Sequence, residues 1–268
     1  GEYSKRITWA AGLLPAVLGL GLAGAVQAAE PTLSERDYLA DVAPVLSVTR
    51  LAQPLRETPA AVTVIDAETI RQSGAREVAE LLRLVPGFHV RSRNGGSMVA
   101  GYHATLDIYG ARMQVYVDGR SVYSSFYLGD TQRGLAAIDV ADIERIEVLR
   151  GSNSAAYGAN AFLGVVNIVT KAAADSHGLS ASVSRGDRGI DDSYARIGWG
   201  GDGADMRLSV SRRTTTGLPT LYDDSRRSQL SFRGEFRPSA VDELRISAGV
   251  ATEAFGEGFP PTSSCTTL

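Results

Sequence analysis

The sequence holds one cysteine, Cys265, and three histidines, His89, His103 and His177, in 268 residues. A lone thiol forms no internal disulfide, and neither residue type recurs at a spacing that would clasp a zinc ion. Blocks of lysine or arginine are missing too. Twenty-seven basic side chains against 30 acidic ones give a net charge of -3, without the clustered positive charge that grips nucleic acid. Asp118, Asp142 and Glu144 have no partner nucleophile, base or metal motif, and Asp118 is explained by a turn, so an enzyme is not expected. Neither is a cofactor or a resident metal ion. What is present is 44% hydrophobic and 21% charged residues, enough to build a core and unlike a disordered or collagenous chain.

The first residues read as an export signal. Lys5 and Arg6 give a positive start, an apolar run extends from about Ala10 to Val26, and Val26-Gln27-Ala28 offers small residues where a signal peptidase cleaves. A membrane anchor is the alternative, since the run approaches the ~20 residues that span a bilayer. Glycine and proline within it and the small-residue exit favour a signal over residues 1–28.

Between about Asp41 and Lys171 short helices and strands mix. Val62 to Ile65 reads as a strand, after which Asp66 caps a helix that Gly74 ends. A second helix from about Arg76 places Val78, Leu81, Leu82 and Val85 on one face before Pro86-Gly87 stops it. Met113 to Val117 and Ser121 to Tyr123 flank Asp118-Gly119, a hairpin signal. Arg145 to Leu149 and Val165 to Thr170 read as further strands.

From Gly178 helical periodicity gives way to alternation. Leu179, Ala181 and Val183 alternate with serines; Ala195, Ile197 and Trp199 follow the same rule, as do Met206, Leu208 and Val210, then Leu230, Phe232 and Phe236, then Leu244, Ile246, Ala248 and Val250. A soluble sandwich and a transmembrane barrel both alternate. Short links at Gly200 to Asp205 and Pro238 to Glu243 alternate with long ones at Thr214 to Arg227 and after Val250, as in a barrel whose two ends differ. The other strand faces carry Arg196, Arg207, Arg233, Glu235, Arg237 and Arg245. An arginine facing lipid at mid-depth costs about 2–4 kcal/mol, so those faces belong to a wet lumen.

Four stretches between Ser47 and Lys171 resemble the plug of the TonB-dependent outer-membrane receptor family: TPAAVTVID from Thr58, LLRLVPG from Leu81, QVYVDGRSVY from Gln114, and DIERIEVLRGSNSAAYGANAFLGVVNIVTK from Asp142. Their order and spacing carry the resemblance more than any one of them does. It implies an α+β plug, a small mixed sheet with short helices, followed by the first antiparallel strands of a transmembrane β-barrel of about 22 strands. The expected layout is a signal peptide at 1–28, an N-terminal extension at 29–50, the plug at 51–172 and about five barrel strands at 173–268.

The same resemblance implies active uptake across the outer membrane of a Gram-negative bacterium, with a plug that gates the barrel and the partner TonB supplying energy to a monomer set in outer-membrane lipid. Val45, Leu46, Ser47, Val48, Thr49 and Arg50 are the candidate TonB-binding segment, captured by strand addition. The ligand, a metal chelate such as a ferric siderophore, would meet the plug apex at Arg93, Asn94, Ser97 and Tyr102 and at Tyr123, Phe126, Tyr127 and Asp130. Cobalamin, haem and oligosaccharides are the alternative cargoes. Arg112, Arg145 and Arg150 are the candidate plug-to-barrel contacts. Arg112 enters because the family's usual Ile-Arg-Gly stands here as Ile108-Tyr109-Gly110. A plug-only periplasmic binding or signalling module, or a non-functional truncated receptor, is the alternative to a working receptor.

Overall fold

The structure, a computed structural model, describes residues 61–103, 112–124, 130–151, 157–158, 161–239 and 241–258, the backbone alone of Ser97, and the backbone of 45–46 and 52–53. The expected export signal lies outside the described residues. Two short strands, β1 (Val45–Leu46) and β2 (Ala52–Gln53), pair antiparallel. β3 (Ala61–Asp66) runs directly into α1 (Ala67–Ser73), because Asp66 accepts the Thr69 N–H at 2.7 Å and so caps the helix. That bond holds the Asp66 carboxyl below its usual value. α2 (Val78–Leu81) is a single turn continued by a tighter turn, Leu82–Leu84, and it buries Val78, Leu81, Leu82 and Val85.

β4 (Phe88–Asn94) and β5 (Ser97–Tyr102) form a hairpin where a looser apical loop was expected. β6 (Met113–Val117) turns through Asp118-Gly119 into β7 (Arg120–Ser121), a shorter second arm than the sequence implied. α3 (Gln132–Leu135), β8 (Ile143–Arg150) and β9 (Gly164–Thr170) complete the N-terminal part. Its sheet has the order β3-β8-β9-β6-β7, with β6 and β9 parallel and the other neighbours antiparallel. The core lies between this sheet, α2 and the β4–β5 hairpin. Leu81, Ile146, Val148 and Ile168 are fully buried there.

The C-terminal part is a five-stranded antiparallel meander: β10 (Gly178–Gly186), β11 (Ile190–Gly201), β12 (Ala204–Thr215), β13 (Ser225–Phe236) and β14 (Leu244–Phe255). Its burial is inverted relative to a soluble protein. Leu179 is 79% exposed and Val183 70%, and Ile197, Trp199, Val210, Leu230 and Val250 are exposed as well. Asp205, Arg207, Ser209 and Ser211 on β12 and Gln229, Arg233 and Glu235 on β13 are buried instead. They face the N-terminal sheet, with which the meander shares one compact unit, Val42–Leu268. An apolar outside and a charged inside suit strands set in hydrocarbon around a polar filling.

Loop length sorts the two ends only in part. Links 202–203 and 237–243 lie at one end, here called proximal; the long 216–224 link lies at the other, distal end, and so does the tight 187–189 link. Arg188 and Gly189 both adopt positive φ, 58° and 63°, which closes β10 onto β11 without a longer loop.

Candidate functional site

The β4–β5 turn carries Asn94, Gly95 and Gly96 to the distal end. There the Gly95 N–H donates to the Gly256 carbonyl at 3.0 Å, and Asn94 Nδ2 reaches Glu257 Oε2 at 3.3 Å. Glycine is required by the closeness of the approach: a Cβ on Gly96 would collide with the Phe255 ring, and one on Gly95 with the backbone of Asp223 and Asp224. A second segment closes alongside, where the Ser124 N–H donates to the Asp130 carbonyl at 3.2 Å. Asp130 Oδ1 accepts the Gln132 N–H at 2.9 Å, and Gln132 Nε2 donates to the Met98 carbonyl at 2.6 Å, tying this segment to β5. Arg93, Asn94 and Asp130 thereby line one cleft of about 550 Å³, whose far wall is the distal half of β14 with Ala251, Glu253 and Phe255.

Other residues singled out from the sequence fall elsewhere. Tyr102 is a correction: it is buried, its ring centroid 5.1 Å from that of Phe88, at the end of the hairpin away from the turn. Its apolar ring is more stable in the core than at a wet apex. Ser97 continues β5 beside the glycines, and Tyr123 is half-buried next to Ser124. Phe126 and Tyr127 lie outside the described residues, as do Ser47, Val48, Thr49 and Arg50, while Val45 and Leu46 form β1. Arg145 donates to Glu147 Oε1 at 2.7 Å within its own strand, where a contact with the other sheet was expected. Glu147 also accepts from Asn167 at 2.9 Å, which keeps its fully buried carboxylate satisfied. Arg112 is exposed, and Arg150 is half-buried at the end of β8 with no hydrogen-bond partner for its Nε. Among the described residues, no group of three His, Cys, Asp or Glu side chains could hold a metal ion.

The contacts between the two sheets come from residues that the sequence did not single out for this role. Asp142, nearly fully buried, accepts from Tyr194 Oη at 2.7 Å and Ser209 Oγ at 2.9 Å, with Arg207 at 3.9 Å. Asp139 holds Arg213 through two bonds of 2.8 and 3.3 Å and accepts from Gln229 Nε2 at 3.0 Å. Asp118 accepts the Thr170 N–H and hydroxyl at 2.9 and 2.7 Å and meets Arg233 Nη1 at 3.1 Å. Arg76 reverses the polarity, grasping Asp192 through two bonds of 2.7 Å. That carboxylate holds the Arg76 guanidinium above its usual value, against the opposite pull of partial burial. Burial raises the Glu77 carboxyl, while Arg227, 3.7 Å away, pulls it back.

A sheet with short helices, latched by polar side chains against a meander of inverted burial, is a recognisable pairing. Residues 54–165 match the model of the TonB-dependent receptor plug domain. This stretch is a TonB-dependent receptor plug domain. The chain is 33% identical over 147 residues to the vitamin B12 transporter BtuB of Vibrio vulnificus, covering 53% of this chain and 23% of that one. Identity to the ferrienterobactin receptor of Escherichia coli K12 is 34% over 171 residues, 59% of this chain and 22% of the receptor. The solved structure of the ferric-catecholate import receptor Fiu from E. coli K12 superposes with a TM-score of 0.61 at 20% identity, over 79% of this chain and 30% of that one. The chain thus spans about a quarter of the length of the relatives it matches.

In the family's terms, the mixed sheet is the plug and β10–β14 are barrel strands. Among the described plug residues that pair with charged groups of the wall are Arg76, Glu77, Asp118, Asp139 and Asp142. In the sequence Asp118 marks a turn, and Arg76 and Asp142 mark only the starts of a helix and of a family-like stretch. The buried lumen arginines were legible as a group, since their alternation with apolar residues requires partners inside.

Proposed function

We propose that the protein imports a scarce, large solute, a ferric siderophore or similar metal chelate, across the outer membrane, with the plug as gate and TonB as the source of energy. The inversion of burial carries this reading: apolar side chains on β10–β14 face outward while Arg207, Arg233 and Glu235 are buried against the plug. A plug held by ion pairs and hydrogen bonds can move in a wet lumen, because water replaces each broken bond and no large apolar surface is bared. The relatives named for vitamin B12 and ferrienterobactin support a chelate as cargo. Export through residues 1–28, TonB capture at Val45 to Arg50, a plug over 51–172 and barrel strands from 173 complete the scheme. Arg93, Asn94 and Asp130, with Ser97, Tyr123, Phe126 and Tyr127, form the plug's share of the ligand site, and Arg112 and Arg150 reach barrel strands beyond those described.

The test is uptake of radiolabelled ferric enterobactin and cobalamin by cells producing the protein, with and without TonB, alongside fractionation of the envelope. Recovery in the outer membrane and TonB-dependent accumulation of either chelate are expected. Accumulation that is unchanged without TonB, or recovery as a soluble periplasmic monomer, refutes the reading.

A further inference from the structure

Two guanidinium groups, Arg93 and Arg133, line the distal cleft together with three carboxylates, Asp130, Glu253 and Glu257. Most of these charges are already paired. Arg133 lies 3.8 Å from one oxygen of Asp130, whose other oxygen accepts the Gln132 N–H. Glu253 pairs with Arg227, its direct neighbour across the β13–β14 ladder, and Arg227 also stands 3.7 Å from Glu77 of the plug. One guanidinium thus serves two acids. Among the described residues, Arg93 and Glu257 form no ion pair; Glu257 accepts from the neutral Asn94 amide at 3.3 Å. The chain at Gly258 runs beside Arg93, a Cβ built there standing 3.7 Å from the Arg93 carbonyl oxygen, so the two leftover charges sit on neighbouring segments.

Flanking charges are evenly divided in sign: Asp223 and Asp224 end the 216–224 link, Arg226 follows within β13, and Arg91 lies on β4. The cleft therefore has no surplus of positive charge with which to receive a polyanion. A chelate carrying several negative charges would shed its water beside Glu253 and Glu257 without a matching counter-charge, and like charges brought together across an interface cost affinity. An uncharged chelate meets no such penalty. Ala136, Ala137, Ala251 and Phe255 supply an apolar surface for its organic face, and the exposed Arg93 guanidinium can donate to its oxygen atoms.

We propose that the cleft selects an uncharged chelate over a polyanionic one, and that the Glu257 carboxylate is the group that sets this preference. Three hydroxamates leave ferric iron neutral, whereas three catecholates leave it with a triple negative charge, so a hydroxamate siderophore or a corrinoid fits the cleft better than a ferric catecholate does. This names the class of cargo within the uptake reading and rests on that reading.

The experiment is equilibrium binding of ferrichrome, cobalamin and ferric enterobactin, each carrying radioactive metal, to outer membranes from cells producing the protein, without TonB, at low and at physiological salt. At least one of the two uncharged chelates is expected to bind about tenfold tighter than ferric enterobactin, or more. Glu257→Arg is expected to tighten ferric enterobactin by about threefold or more at low salt, with a smaller gain at physiological salt, and to leave the uncharged chelate within about twofold. Glu257→Gln, which keeps an acceptor for Asn94, is expected to act in the same direction by less, and it decides the matter if Glu257→Arg fails to assemble in the membrane. Ferric enterobactin binding as tightly as the uncharged chelates, or Glu257 changes that leave it unmoved or move charged and uncharged chelates alike, overturns the proposal and leaves the uptake reading standing. Binding of none of the three overturns both.

Discussion

Replacing Asp142 by alanine should loosen the plug from the wall more than any surface change. Its carboxylate is 1% exposed and receives the Tyr194 and Ser209 hydroxyls at 2.7 and 2.9 Å, with Ser231 at 3.4 Å and the Arg207 guanidinium at 3.9 Å. Removing it leaves three hydroxyls without this acceptor and a guanidinium buried without its counter-charge. Breaking one side of such a buried pair costs about 3–5 kcal/mol. Urea unfolding in detergent, followed by circular dichroism, reads this directly. With a slope of about 2 kcal/mol per M, the midpoint should fall by roughly 2 M. Asp142→Asn keeps the volume and an acceptor oxygen and should fall by less. Adding Arg207→Met to Asp142→Ala should recover much of the loss, because an apolar pair of similar size carries no desolvation penalty. A midpoint within about 0.2 M of the parent for Asp142→Ala, under half a kcal/mol on the same slope, refutes the assignment of Asp142 as a principal latch.

Ile197→Arg, on the exposed apolar face of β11, should cost about 2–4 kcal/mol and reduce assembly in the outer membrane, measured as the folded fraction on unheated gels. Gly96→Leu should drive the apical turn off Phe255 and weaken chelate binding to whole cells while leaving the barrel folded; unchanged affinity removes this turn from the ligand site. Asp66→Ala should cost about 1 kcal/mol of plug stability at neutral pH through loss of the α1 cap. Because the Asp66 carboxyl is lowered in the folded plug, its contribution is complete above the unfolded value of about 3.9 and fades as pH falls through the folded value. The gap between parent and Asp66→Ala should therefore close in acid, and a gap that widens there would contradict the cap.

Local signals in the chain were enough to specify most individual elements. Asp66 and Gly74 bracket α1, Asp118-Gly119 turns β6 into β7, and Val165 to Thr170 lies within β9, because caps, turns and β-branched runs act over a few residues. Period-two alternation likewise fixed the meander and its two chemically different faces. The β4–β5 hairpin escaped notice because its strands carry mixed polar residues, Arg91, Ser92 and Arg93, and turn at Gly95-Gly96 within what reads as a loop.

Partnership was decided only by tertiary structure. The parallel pairing of β6 with β9 joins segments separated by α3 and β8, and the latches Asp139–Arg213 and Arg76–Asp192 join residues 74 and 116 positions apart. Periodicity says that a buried arginine needs a counter-charge but does not say which one, since ion pairing depends on distance in space. Sequence alone therefore established a membrane-facing and a lumen-facing side for each late strand. Folding the plug against them decided which acid meets which arginine, placed Tyr102 in the core instead of at the apex, and gathered Arg93, Asn94 and Asp130 around one cleft.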